Sequence, residues 1–145
     1  MAISVSRGAC PALFGWFAAN AAFSCGFAVL FLIAPNAVAG AIGMPYLVVI
    51  SVIGGVLAAF AALLVYLVYR GSMPRSLAWA IVMTDMGWVL GTVIVGVLMP
   101  EMLNTQGWIL AAVIAFVVLV FSVGQAESLR RLDLVPTDTS AKENV

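Results

Sequence analysis

The stretch Tyr46-LVVISVIGGVLAAFAALLVYLV-Tyr69 contains no charged side chain, no side-chain amide and no proline. About 20 residues of helix are needed to cross the ~30 Å hydrocarbon core of a bilayer, so this run is long enough to span it. Lipid offers the backbone no hydrogen-bond partners. A single crossing segment must satisfy its own N–H and C=O groups, which selects a helix over a strand.

Three further runs read the same way. Ala12 to Ala34 is closed by Pro35-Asn36. Leu77 to Met99 opens after Pro74-Arg75-Ser76 and is closed by Pro100-Glu101. Gly107 to Leu129 is closed by Arg130-Arg131. The expected fold class is all-α, an integral membrane four-helix bundle with spans at about 12–34, 46–69, 77–99 and 107–129. Residues 1–131 form that domain, and residues 132–145 form a polar tail.

Composition agrees. Of 145 residues, 65% are hydrophobic and 8% charged, and the mean hydropathy is +1.20. Soluble domains are nearer half apolar and a quarter charged. A chain of this size still exposes roughly a third of its unfolded surface after folding, and here that surface requires lipid. Six Lys and Arg balance six Asp and Glu, so no basic patch points to nucleic acid. Histidine is absent, which removes imidazole ligands and the commonest general base. No metal or cofactor is expected. Cys10 and Cys25 fall ~22 Å apart along a helix, too far for a disulfide, so both are expected as free thiols.

The first run is longer than the 7–15 apolar residues of a signal peptide core, so no cleavage is expected after Ala37-Val38-Ala39. Cys25 is not a lipoprotein site, because Ala22 stands where that signal has leucine. The loop from Asn36 to Pro45 is short and apolar and is expected as an interfacial turn.

All Lys and Arg fall in three places. Arg7 precedes span 1, Arg70 and Arg75 separate spans 2 and 3, and Arg130, Arg131 and Lys142 follow span 4. The other two loops carry none. Basic flanks stay in the cytoplasm, so both termini are expected there. Trp16 and Trp79 then lie near the inner interface and Trp108 near the outer one, as in an aromatic belt.

Helices in lipid associate through close packing of small residues. Span 3 carries Gly87 and Gly91, then Gly96. Span 2 has Gly54, Ala58 and Ala62, and span 1 has Ala18, Ala22 and Gly26. Span 4 has Ala111, Ala115 and Ser122. These stripes are expected to pack inside the bundle, with spans 1 and 3 crossing closely.

Asp85 is the polar exception. It stands eight residues into span 3, ~12 Å from the span's start. An acid at the bilayer centre costs ~2.5–3.5 kcal/mol on insertion scales, so it should face the bundle interior. Asn20 stands eight residues into span 1, which runs in the same direction. The two side chains share a depth, and the Asn20 amide can donate to Asp85. Thr84 flanks the acid, and Trp88 lies one turn on. Two readings stay open: a register pin between helices, or a coupling site or polar anchor for a ligand head group. Gln125 and Glu127, and Tyr66 and Tyr69, are read as interfacial polar groups near the ends of spans 4 and 2.

Asn20, Gly26 and Pro35 recur as Asp85, Gly91 and Pro100 at an offset of 65, a faint parallel repeat of the kind found in transporters. Four stretches, Ile42-Gly43-Met44-Pro45, Asp85-x-x-Trp88, Thr105-Gln106-Gly107 and Gln125 to Arg131, give the chain a resemblance to a type of small, largely uncharacterised bacterial four-helix inner-membrane protein. That resemblance implies a bacterial inner membrane and brings no activity with it.

No catalytic set is present. The first expectation is therefore a non-enzymatic membrane protein, a structural or accessory subunit or a homo-oligomer, with the lipid bilayer, other membrane subunits or itself as partners. The alternative is a small transporter or a ligand or lipid carrier built on Asp85 and Asn20.

Overall fold

The computed structural model describes residues 4–134. In chain order these form strand β1 (Ser4–Ser6), helices α1 (Pro11–Ile33), α2 (Pro35–Ile42) and α3 (Leu47–Arg70), strand β2 (Ser72–Pro74), and helices α4 (Arg75–Leu98) and α5 (Thr105–Leu134). A 3-10 turn, Pro100–Met102, precedes α5. The four long helices are each long and apolar enough to cross a membrane.

Local chemistry sets the helix ends. Pro11 and Pro35 open α1 and α2 in the first turn, where a missing N–H costs no helical bond. Gly43 and Gly71 close α2 and α3 with φ of 74° and 68°, a left-handed turn that glycine makes without steric cost. Ala34 and Met99, just before the matched prolines of the repeat, share one backbone geometry (φ/ψ −127°/48° and −137°/57°).

Three of the four predicted spans agree with α1, α3 and α4 to within two residues at either end. The fourth is longer than expected. α5 runs on to Leu134 and takes in Leu132, Asp133 and Leu134, which the sequence reading assigned to the tail. The rest of the predicted tail lies outside the described residues. The apolar loop after α1 is largely helical, as α2. The short sheet was not expected: β1 pairs antiparallel with β2, Val5 opposite Met73. Arg7 extends this tie. Its backbone N–H donates to Gly71 O at 2.8 Å, its guanidinium donates to Val68 O, and it lies 5.7 Å from the Phe14 ring centroid. The sheet, the α3–α4 connection and the end of α5 occupy one end of the bundle, here the basic end.

α1 packs along α3 and against α5, and α4 packs along α5. Among the described residues, α3 and α4 are not a closely approaching pair, though both contribute to the core near the basic end. The main core lies towards the basic end. Leu13, Phe14 and Phe17 of α1 meet Leu64 and Leu67 of α3, Ile81 and Val82 of α4, and Leu129 of α5 there. The buried residues of α4 are Ala78, Ile81, Val82 and Asp85, all in its first half. The bundle is thus tight on one side of Asp85 and loose on the other.

A latch closes the far end. Asn104 accepts from Gly107 N at 2.8 Å, capping α5, while its own amide donates to Ala41 O at 3.1 Å and its backbone N–H to Ile42 O at 2.9 Å. A Cβ on Gly107 would stand 2.6 Å from Ile42 O, so only glycine permits this approach. Two of the stretches behind the resemblance, around Gly43 and Gly107, therefore touch each other.

The glycine stripes need correction. A Cβ on Gly54 would meet Phe31 and Leu32 at 3.0–3.1 Å, a close helix approach. Gly26, Gly87 and Gly91 have nothing within 4 Å of that position, and Ala22 is exposed while Ala58 is half-buried. α1 and α4 meet through side chains rather than by a close backbone crossing. Four-residue spacing puts small residues on one face but does not fix what lies opposite. The tightest glycines are Gly107 and Gly124.

Candidate functional site

The bond expected from equal depth is present. Asn20 Nδ2 donates to Asp85 Oδ2 at 2.7 Å, with both residues buried. Ser24, one turn along α1, donates to Asn20 Oδ1 at 3.3 Å. That bond fixes the amide with its N–H₂ towards the acid. Thr84 turns its hydroxyl back to Ala80 O at 2.9 Å, so it is satisfied within α4 and does not join the pair. Trp88 is 39% exposed and stands one turn further along α4.

α5 adds a member that the sequence reading set aside. Gln125 is fully buried, not interfacial, and sits beside the Asp85 carboxyl group. Neither its Nε2 nor its Oε1 completes a hydrogen bond. The error follows from the helix end. Counted from Leu129, Gln125 is one turn from the exit; counted from Leu134, it is nine residues in, or ~13 Å. A signal was available. Ser122, Gln125 and Ser128 fall at three-residue spacing on one face, and all three are buried. Glu127, Arg130 and Arg131 take the exposed side, with Glu127 paired to Arg131 at 2.9 Å. Ser122 donates to Val82 O at 3.2 Å, tying α5 to α4 just below the acid. Tyr66 and Tyr69 are exposed.

Asp85 forms part of the wall of a cavity of about 310 Å3. Phe23, Phe27 and Phe31, four residues apart on α1, line one side, and Phe60 of α3 and Trp88 of α4 line the other. The α1 rings form a ladder, with centroids 4.9 and 5.9 Å apart. A second cavity of about 340 Å3 continues towards the latch, reaching Met44, Leu103 and Trp108. The two share Phe31, Gly87, Trp88 and Ile114 as a common wall, and Asp85, Asn20 and Ser24 line the first. The exposed residues of the first cavity's lining, Val56 on α3 and Thr84, Gly87 and Trp88 on α4, place its open side between those two helices.

The cysteines do not pair. Cys10 is buried, its thiol 3.7 Å from Ser128 O, and Cys25 is exposed. No family model, curated protein or solved structure matches the chain. What stands of the resemblance is the four-helix membrane architecture.

Proposed function

We propose that this chain is a non-enzymatic multi-pass membrane protein that holds an amphiphilic ligand inside its bundle, apolar body among the aromatic rings and polar group at Asp85. One observation carries the reading: the buried Asn20–Asp85 pair sits at the base of an aromatic-lined space that opens between α3 and α4. Ligand sites are typically apolar concavities with a few placed polar groups. A register pin alone needs no such space.

Gly87 supplies the test. It lines both cavities, and a Cβ there meets nothing within 4 Å. Gly87→Leu should fill the space without disturbing the fold, and replacing a helical glycine adds helix propensity of about 0.5–1 kcal/mol. The parent should bind the apolar fluorophore 1-aminoanthracene saturably. Gly87→Leu should not bind it, and should melt no lower than the parent. Equal saturable binding by both proteins would sink the proposal. A second reading, a homo-oligomer or accessory subunit, draws on the same open Gly87–Gly91 face, which a partner helix could cover. In that case Gly87→Leu should change the mass measured by light scattering instead.

The placement of Lys and Arg supports an orientation with both termini in the cytoplasm. A reporter active only outside the cytoplasm should be silent after Val145 and active between Asn36 and Pro45. An active fusion after Val145 would reverse the orientation.

A further inference from the structure

We propose that the ligand is an organic cation with an apolar body. The inference rests on the ligand-holding reading above and names the chemical class.

The charges around the site lead to it. Asp85 is buried, and the side chains that act on it are Asn20 and Gln125, both neutral amides. The basic residues nearest to it along the chain, Arg70 and Arg75, stand at helix ends. A buried carboxylate in hydrocarbon requires a counter-charge or a proton. A carboxylate can accept about four hydrogen bonds, and the bond from Asn20 leaves room on the cavity side.

The walls point the same way. Aromatic faces attract cations through their quadrupole, and the attraction strengthens when water is excluded. Phe23, Phe27, Phe31, Phe60 and Trp88 line the same cavity as the acid. An inorganic divalent cation would need about six oxygen ligands, whereas this lining is almost wholly apolar. An anion would meet the carboxylate with no basic group to hold it. A neutral apolar molecule would fill the space but leave the acid unanswered. The open seam between α3 and α4 suits entry from the bilayer, where an amphiphilic cation concentrates.

The experiment uses two probes of nearly identical shape, phenyltrimethylammonium and its neutral isostere tert-butylbenzene. Binding is measured by calorimetry on the full chain in discs of zwitterionic lipid, with empty discs subtracted. On the parent protein, the cation should bind about tenfold or more tightly than the isostere. Asp85→Asn should abolish that preference, since the amide carries no charge. The parent comparison needs no variant, so it stands even if Asp85→Asn misfolds. Equal binding of both probes by the parent would overturn the cation assignment and leave the cavity reading intact. So would a cation preference that survives in Asp85→Asn. Binding of neither probe would overturn both.

Discussion

Asp85→Leu should lower the melting temperature of the purified protein clearly, while Asp85→Asn should leave it unchanged or raise it. Leucine removes the acceptor for Asn20 Nδ2, a bond of 2.7 Å. It also removes the polar neighbour of the buried Gln125. A buried polar group left without a partner costs about 1–3 kcal/mol, and here the Asn20 amide is left so. The gain from removing an acid applies to insertion, so it favours the inserted but unpacked helices as much as the bundle. It does not offset the loss. Asparagine keeps an oxygen for Asn20 to donate to and carries no charge. Thermal unfolding in detergent separates the cases. If the Leu and Asn variants both melt with the parent, Asp85 is not joining α1 to α4.

Gly124→Ala should be strongly destabilising. Trp16 of α1 lies directly over this position of α5. A Cβ built there would overlap the indole and stand 2.7 Å from Cζ2. Trp16 is also held edge-on to Phe121, with centroids 6.4 Å apart, so the ring cannot swing freely away. Overpacking of this kind typically costs 1–3 kcal/mol. Leucine carries none of the indole atoms Cε2, Cζ2 and Cδ2 that lie nearest that Cβ, so Trp16→Leu in the same chain should relieve the overlap. The double variant should be more stable than the sum of the two single effects predicts. Additive effects would show that Trp16 and Gly124 do not meet.

Much of this could be read in the residues. Long apolar runs set the four spans because the bilayer fixes the length a helix needs. Asn20 and Asp85 could be paired because their helices run in the same direction and each lies eight residues in. Gln125 was missed because depth depends on where a helix ends, and apolar Leu132 and Leu134 carry α5 past the two arginines. The latch through Asn104 was not legible either. Its partners Ala41 and Ile42 are over sixty positions away, and no periodicity links them. β1 and β2, three residues each, are too short for an alternation pattern to show. The cavity itself is a failure of packing between α3 and α4, and span hydropathy carries no information about which helix pairs stay apart.

The central claim is an apolar space between α3 and α4 with Asp85 at its base. Photolabelling with an apolar diazirine probe in lipid discs, mapped by peptide mass spectrometry, tests it most directly. Saturable labelling should fall on Phe27, Phe60 and Trp88 and disappear in Gly87→Leu. Labelling confined to outward residues such as Val48, Val97 and Phe116, with none on the cavity rings, would contradict the account.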